Sequence, residues 1–369
     1  MTELTDLTRE LVSIPSHDDE TAAGDFLERW LRAETDASVT RDDAGNVVAR
    51  RSPDRRAPED DASDTSLALV GHHDVVPPAA RQRDGDEYVV EERDGRLYGR
   101  GTADMKGAVA ASLLAFRDAD PTCELVVASF VGEEVGGEGA RAAIEDGFAP
   151  DYALVAEGST NYSKPGVTDV VVAHKGRRGS TITARGASAH ASEPDAGENA
   201  VYRACDAVDV VRGLDFPAAE VVGESLRGSV AVTEIDGGSA WNVIPDTCTV
   251  TVDERTVPGE RVDLGQVEAI AGVEWRVDQD LPPMACDDPD FADAVLAAAR
   301  AAQDGDPELV TKPHATDAGW LAEAGTTCVV CGPSEPGEAH TETESVGIDV
   351  LERCYRLYRA LAEQGPTTD

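Results

Sequence analysis

The sequence predicts an α/β fold with two domains, in which a smaller α+β domain interrupts a larger one. In the first part of the chain, short apolar segments typical of buried strands alternate with helical segments. Near Val170 the order of elements changes to one close to βαββαβ, which suits a compact insert, and after Asp290 the earlier alternation returns. We therefore expect the larger domain at residues 1–172 and 284–369 and the inserted domain at residues 173–283.

The first part of the larger domain reads as two helices followed by alternating strands and helices. Apolar residues three or four positions apart predict helices, and short runs rich in Val, Leu and Ala predict buried strands. Helices are expected at 5–12, 20–33, 106–119 and 138–146, and strands at 37–40, 47–50, 67–70, 125–131 and 152–156. The polar, acidic segment 52–66 predicts a surface loop.

The insert and the returning segment, residues 284–369, show the same kinds of sequence pattern. In the insert, strands are expected at 180–185, 229–235, 247–253 and 273–277, and helices at 199–213 and 262–270. After the insert, a helix is expected at 291–303, a strand at 327–330 and a last helix at 346–362. These last elements are expected to complete the larger domain.

The charge of the chain is strongly negative, because 72 acidic residues stand against 32 basic ones and give a net charge of -40. A nucleic-acid-binding protein needs a basic face, so this class is excluded. The acidic residues are spread along the whole chain, and only four of the basic residues are lysines. This pattern predicts a protein adapted to high salt, where the Debye length falls to about 3 Å at 1 M and self-repulsion is screened.

The cysteines and the N-terminus bear on location. Seven cysteines without framework spacing favour a reducing compartment, and Cys328 and Cys331 are expected to be buried structural residues. The N-terminus shows no basic region followed by an apolar one, and no segment has the roughly 20 apolar residues of a membrane span. We expect a soluble, cytoplasmic protein that does not contact a membrane.

Two neighbouring acids, Glu133 and Glu134, follow the predicted strand 125–131 directly. Adjacent carboxylates repel each other unless a positive group holds them, which favours a metal ion. The pair alone also fits a solvated acidic turn in an acidic protein. More polar residues follow predicted strands or lie near them, and the whole set is His72, Asp74, Asp104, Glu133, Glu134, Glu157 and His340.

This set contains two imidazoles and enough carboxylates for two divalent ions. With Asp104 as a bridge, His72 and Glu157 complete the first site, and Glu134 and His340 complete the second. Asp74 falls on the same side of an extended chain as His72 and can accept a hydrogen bond from its second ring nitrogen. Glu133 is left without a metal and is free to take a proton from an attacking water.

Five motifs around these residues resemble those of the M20 family of co-catalytic zinc peptidases and deacylases, which contains acetylornithine deacetylase and succinyl-diaminopimelate desuccinylase. In the order of that family they are GHHDVVP at 71–77, GRGTADMKG at 99–107, VGEEVGGEGA at 131–140, AEG at 156–158 and EAH at 338–340. The resemblance covers nearly the whole chain. It implies a mixed-sheet, zinc-peptidase-like catalytic domain, and an insert that serves as a lid or dimerisation domain.

The resemblance also implies roles for the set. Its metal ligands are His72, Asp104, Glu134, Glu157 and His340. Glu133 is implied as the general acid/base, Asp74 as the residue that orients His72, and the Asp104–Met105 peptide is implied to be cis. The resemblance implies two divalent ions as cofactors, zinc or alternatively cobalt.

Within the insert, the resemblance implies three further site residues. His190 is similar in position to a histidine that reaches a neighbouring active site and stabilises the oxyanion, so a homodimer through the lid domain is expected. Arg255 matches an arginine that binds a substrate carboxylate, and Asn242 matches another substrate contact. Trp241 is expected to serve in packing rather than in stacking on a substrate. We expect structural or peripheral roles for His73, His174, His314 and Asp317. We expect Arg177 and Arg178 to neutralise nearby acids.

The predicted function is that of a di-metal amidohydrolase that removes a small acyl group from an N-acyl amino acid, of the acetylornithine deacetylase or succinyl-diaminopimelate desuccinylase type. Its partners would be a small N-acyl amino acid or dipeptide, and not a nucleic acid. One alternative is an M20 dipeptidase or carboxypeptidase. The other is a non-catalytic, metal-stabilised binding protein, which would have no need of Glu133 beside a complete ligand set.

Overall fold

A nine-stranded mixed sheet forms the centre of the larger domain in a computed structural model, which describes residues 2–53 and 65–366. Four strands in the middle of the sheet are parallel, the strands that flank them are antiparallel, and the edge strand Leu309–Lys312 is parallel to Val170–His174. In spatial order the strands are Ser38–Arg41, Val47–Arg51, Glu124–Phe130, Ser66–His72, Tyr152–Val155, Thr327–Val330, Val170–His174 and Met284–Ala285, with Leu309–Lys312 also paired to Val170–His174. The central strands are buried on both faces, as their apolar sequences require.

Helices cover both faces of this sheet. One face carries the larger apolar core and the other a smaller one. The helices of the larger core are Glu3–Ser13, Thr21–Glu34, Lys106–Asp118, Pro289–Ala302 and Ile348–Gln364, and those of the smaller core are Glu138–Glu145 and Ala318–Glu323. The helix Lys106–Asp118 is rich in alanine and leucine and is buried along nearly its whole length, so it fills the space beside the central strands.

The insert is built on a four-stranded antiparallel sheet. Its strands in spatial order are Ser229–Gly237, Thr247–Thr256, Gly176–Arg185 and Val273–Leu281. The strand Thr247–Thr256 alternates buried and partly exposed residues, so one face of the sheet is apolar. That face forms a separate core with the helix Ala200–Arg212 and the 3-10 helix Leu264–Ala269.

Short elements complete the fold. Two-stranded pairs join Arg83–Asp84 to Glu87–Tyr88, Ala189–His190 to Val243–Ile244 and Ala218–Val221 to Glu224–Arg227, and a three-stranded sheet contains Ser345–Gly347, Arg96–Tyr98 and Glu91–Arg93. Two further 3-10 helices lie at Ala80–Gln82 and Pro194–Ala196. In the described part of the chain, no helix has both the length and the apolar composition that a membrane crossing requires.

The predicted fold class, a mixed-sheet α/β domain with a smaller α+β insert, is confirmed, and several element boundaries are corrected. The expected helix at 262–270 is the 3-10 helix Leu264–Ala269, because Gly265 and the short span disfavour an α-helix. The expected helix at 346–362 starts later, because Ser345–Gly347 pairs as a strand. The hairpin of Ala218–Val221 and Glu224–Arg227 was not expected. Most of the predicted loop 52–66 lies outside the described residues.

Candidate metal centre

The central strands bring the polar residues of the sequence to one edge of the sheet. Strand Ser66–His72 lies between Glu124–Phe130 and Tyr152–Val155 and is parallel to both. His72 ends the middle strand, and each neighbouring strand is followed within a few residues by one of the candidate acids. Since the carboxyl ends of parallel strands meet at the same edge, residues far apart in the sequence converge there.

Two sets of side chains at this edge have the composition of a metal site. In the first set, Nε2 of His72 lies 3.2 Å from Oδ1 of Asp104 and 3.4 Å from Oε1 of Glu157. In the second, Nε2 of His340 lies 3.2 Å from Oδ2 of Asp104 and 3.0 Å from the carboxylate of Glu134. Within each set the ligand atoms all lie within 4.8 Å of one another. Asp104 therefore contributes one oxygen to each set, as a bridging ligand would.

The donor chemistry of the two sets fits divalent ions such as zinc, which binds imidazole nitrogen and carboxylate oxygen. Hydrogen bonds with Asp104 and Glu134 raise the pKa of His340 to about 10. Burial opposes a charge on His72, yet Asp74, Asp104 and Glu157 together raise the pKa of its imidazole well above the ordinary value. Three carboxylates thus create a negative potential that a bound cation would neutralise.

Glu133 lies beside these sets and belongs to neither of them. Its side chain lines the same cavity as Asp104 and Glu157. Burial, with the negative charges of Asp317, Glu157 and Asp104, raises the pKa of Glu133 well above its ordinary value, although His72 opposes the shift. A carboxyl with a raised pKa is suited to accepting and returning a proton near neutral pH.

Asp74 contacts both candidate sets. Nδ1 of His72, on the opposite side of the ring from Nε2, donates to the backbone carbonyl of Asp74 at 3.1 Å and lies 3.2 Å from Oδ1 of the same residue. Oδ2 of Asp74 accepts a hydrogen bond of 3.0 Å from the backbone N–H of Glu134. The Asp74 side chain is only 4% exposed, so its contacts can orient one ligand of each set. The implied cis peptide between Asp104 and Met105 is present.

The candidate centre opens into a cavity of about 450 Å³ between the larger domain and the insert. Arg255 and Arg177 line the cavity from the insert. Asp253 accepts hydrogen bonds from Nε of both arginines, at 2.7 Å from Arg255 and 3.0 Å from Arg177. One carboxylate therefore holds two guanidinium groups at the cavity wall, which leaves a net positive charge there.

Sequence reasoning missed several residues of this cavity. Lys312 is buried, and its Nζ lies 3.2 Å from Oε2 of Glu157. Tyr162, Gln279 and His314 also line the cavity, although His314 was expected to be peripheral. These residues come from separate elements without a shared motif. The only signal in the sequence was the rarity of lysine, since Lys312 is one of four in the chain.

Two of the predicted insert residues lie outside the lining of this cavity. His190 is exposed on the short strand Ala189–His190, where its Nδ1 lies 2.7 Å from the Ser192 hydroxyl. Asn242 precedes the partner strand Val243–Ile244, and its carbonyl accepts a hydrogen bond from Ala191. Neither residue is brought to the centre within one chain.

Other expectations for individual residues can be compared with the structure. The prediction that Trp241 serves in packing is wrong within one chain, because the residue is 96% exposed in the loop between the strands Ser229–Gly237 and Val243–Ile244. Cys328 and Cys331 are buried, as expected. His73 and His174 are also buried, and both bond to nearby groups of the larger domain.

A mixed α/β sheet with two imidazole–carboxylate sets and a separate glutamate at one edge is the arrangement expected of a metal-dependent hydrolase. Residues 68–364 match the model of peptidase family M20/M25/M40. The chain belongs to this family and is therefore a hydrolase of amide bonds.

Named relatives agree with this assignment, and a solved structure agrees with the fold. The chain is 33% identical to an acetylornithine deacetylase from Myxococcus xanthus. The alignment spans 324 residues and covers 80% of each chain. The chain is 26% identical to a succinyl-diaminopimelate desuccinylase from Bordetella avium, in an alignment of 387 residues that covers 98% of each chain. In fold it is similar to the crystal structure of aminopeptidase PepT from Bacillus cereus, with a TM-score of 0.81, 20% identity and coverage of 98% of this chain and 97% of the other.

Proposed function

We propose that the protein is a di-metal deacylase that removes a small acyl group from an N-acyl amino acid, of the acetylornithine deacetylase or succinyl-diaminopimelate desuccinylase type. The observation that carries the proposal is Glu133, a half-buried carboxyl beside two ligand sets and outside both. A protein that only held metal would have no use for this group. The names of the relatives favour a deacylase within the family.

The ligands of the first ion would be His72, Glu157 and Asp104, and those of the second Glu134, His340 and the same Asp104. The ions, which we propose to be zinc with cobalt as the alternative, would polarise the scissile carbonyl and lower the pKa of a water molecule. Asp74 would hold the imidazole of His72 in the orientation that directs Nε2 toward the first site.

The proton transfers are assigned to Glu133. Its carboxylate would accept a proton from the water that attacks the carbonyl carbon of the substrate. The protonated carboxyl would then donate that proton to the nitrogen of the leaving amine, so that the amide bond breaks without releasing an amide anion. Burial beside the two ligand sets raises the pKa of Glu133 in the metal-free protein, and two bound dications would oppose this shift, so the group can both take up and return a proton.

The substrate is expected to carry a carboxylate that meets the cationic wall of the cavity. Arg255 and Arg177 line this wall, and Asp253 accepts from the Nε atom of each. A guanidinium group binds a carboxylate through two parallel N–H bonds, which gives strength and direction. An N-acyl amino acid would place its amide at the metal ligands when its carboxylate meets this wall.

Two further parts of the proposal concern the assembly and the location of the protein. His190 and Asn242 lie outside the cavity within one chain, so they would contribute to catalysis and substrate binding in a homodimer formed through the lid domain. A cytoplasmic location is proposed because all seven cysteines are unpaired and six of them are buried.

Incubation of the purified protein with candidate substrates tests the proposal. The assay is run in high salt with zinc or cobalt, on N-acetyl and N-succinyl amino acids and on unmodified dipeptides, and release of the free amine is measured. The proposed function predicts turnover of an N-acyl amino acid. Turnover of dipeptides alone would favour the alternative of an M20 dipeptidase or carboxypeptidase, to which the aminopeptidase-like fold also points. No turnover of any substrate would favour the non-catalytic binding protein.

A further inference from the structure

The two ligand sets differ in how the fold holds them. In the first set, His72 ends a central strand and Glu157 follows the end of the adjacent one, so the hydrogen bonds of the sheet fix both backbones. In the second set, His340 lies in a turn with a positive φ of 64°, and its side chain is 52% exposed. The second set therefore needs support from outside the sheet.

Glu344 is placed to give this support. It is buried, follows His340 by four positions and belongs to neither ligand set. Its Oε1 accepts hydrogen bonds from three backbone N–H groups, at 2.9 Å from Gly101, 3.0 Å from Ala103 and 3.2 Å from Asp104. Charge-assisted bonds of this kind are strong and directional, so they fix the segment that carries Asp104.

Arg100 closes the connection between the two segments. Its Nη1 lies 2.5 Å from Oε2 of Glu344, and its Nη2 donates to the carbonyl of His340 at 3.4 Å. The Arg100 side chain is 3% exposed and that of Glu344 is fully buried. This buried ion pair therefore contacts the backbone of two ligands: Glu344 contacts that of Asp104, and Arg100 contacts that of His340.

A second arginine ties the same two segments together a few residues away. Nη2 of Arg96 lies 3.2 Å from Oε1 of Glu338 and donates to the carbonyl of Ser345 at 3.1 Å. Glu338 and Ser345 flank His340 and Glu344 in the sequence. The turn that carries His340 is therefore held at both ends by residues that precede Asp104.

We infer that Glu344 and Arg100 are a pair of positioning residues that preset the second ligand set, by tying the segment of Asp104 to the turn of His340. The inference rests on the proposed function, because it takes the two sets to be metal sites. It adds that binding of the second ion depends on this pair, whereas His72 and Glu157 remain fixed by the sheet when the pair is lost.

Two variants test the inference. Glu344→Gln removes the carboxylate and leaves the charge of Arg100 buried without a partner, which can unfold a protein. The double variant Arg100→Gln/Glu344→Gln removes both charges together and so avoids that cost. Arg353→Gln is the matched control, because Arg353 is a buried arginine that donates to Gly166 and Gln303 and not to either ligand segment.

The measurement is a cobalt(II) titration of metal-free protein in high salt, followed by calorimetry and by the visible absorption of the bound ion. We expect wild type and Arg353→Gln to bind two ions with the same affinities. In the double variant, the second ion should bind about 10- to 100-fold more weakly, as is usual when a group that orients a ligand is lost, and the first ion should be affected less.

The outcomes separate this inference from the proposed function. Two ions in the double variant with wild-type affinities would overturn the inference and leave the proposed function intact. Equal weakening of both ions, or the same loss in Arg353→Gln, would show a general destabilisation and would also overturn it. Fewer than two ions on the wild-type protein would contradict the di-metal centre itself, and the inference with it.

Discussion

Nε2 of His340 lies 3.0 Å from the carboxylate of Glu134, which stands 206 positions earlier in the chain. Asp104 lies beside the same imidazole and also beside that of His72. The centre therefore joins the first part of the larger domain to its returning segment. Because the insert separates these two parts in the sequence, loss of either part removes a ligand set.

Replacement of Glu133 by glutamine should abolish most of the activity while the metal stays bound. Glutamine keeps the shape of the side chain but cannot take up a proton, and general acid/base groups typically contribute about 10²- to 10⁴-fold to the rate. The measurement is kcat together with the metal content of the dialysed protein. Glu145→Gln is the control, because Glu145 is an exposed glutamate of the helix Glu138–Glu145 that lies outside the cavity lining and both ligand sets. A Glu133→Gln variant with full activity would contradict the assigned role.

Replacement of the two histidines should remove different ions. His72→Ala deletes the only imidazole of the first set, and His340→Ala deletes that of the second. Each variant should therefore bind one ion tightly, whereas Asp104→Ala should weaken both, because Asp104 belongs to both sets. Metal content after dialysis, measured by atomic absorption, distinguishes these results. Retention of two ions in either histidine variant would show that the ligand assignment is wrong.

Metal binding near pH 8 should release protons. Hydrogen bonds with Asp104 and Glu134 raise the pKa of His340 to about 10, above the ordinary value of about 6.5, so the imidazole of the metal-free protein is protonated at pH 8. Binding of a metal ion requires the neutral ring and displaces this proton. Titration calorimetry in two buffers of different protonation enthalpy measures the number released.

The direction in which pH changes metal affinity follows from the raised pKa of His340. The charged imidazole stabilises the metal-free protein fully below about pH 6.5, and this contribution is lost as the pH rises through about 10. Metal affinity should accordingly fall as the pH is lowered, since protons and metal compete for His340. His340→Ala is the control and should release fewer protons. Identical proton release in that variant would contradict the role of His340.

The convergence of the candidate ligands could be predicted because it depends on local signals. His72, Glu134 and Glu157 each follow a short apolar segment, and parallel strands place their carboxyl ends at one edge. The sequence therefore contains the information that these side chains meet. His340 lies in a turn, and no periodic pattern marks it. Its role as a ligand could be predicted only because its motif resembles that of the M20 family.

The cavity wall could not be predicted in the same way. Lys312 ends an edge strand, Tyr162 lies in a loop, and Arg177 begins the long strand of the insert. They meet because the insert and the larger domain pack together. No periodic pattern in the sequence indicates this tertiary contact. Arg177 was expected to neutralise acids, and it does pair with Asp253, but its place in the cavity was visible only in the structure.

Mixing two inactive variants should restore activity if His190 acts across a dimer. In a heterodimer of Glu133→Gln and His190→Ala chains, the second chain has its own Glu133 and receives His190 from the first. One of the two sites is then complete, so up to about a quarter of wild-type activity should return in an equal mixture, if half of the dimers are mixed and each has one active site. The measurement is kcat after joint refolding. Absence of any recovery, with light scattering that shows a monomer, would contradict the role of His190.

Dilution from high to low salt should destabilise the fold. A net charge of -40 makes the compact state repel itself, and the range of this repulsion grows as the Debye length rises from about 3 Å at 1 M to about 10 Å at 0.1 M. Arginines such as Arg100 and Arg178 are already paired with acids, so few positive groups remain to offset the excess. Circular dichroism should show loss of structure at about 0.1 M salt, and sodium and potassium chloride should protect equally at about 1 M, because screening depends on ionic strength. An unchanged signal in low salt would mean that local pairing of the acids outweighs the long-range repulsion.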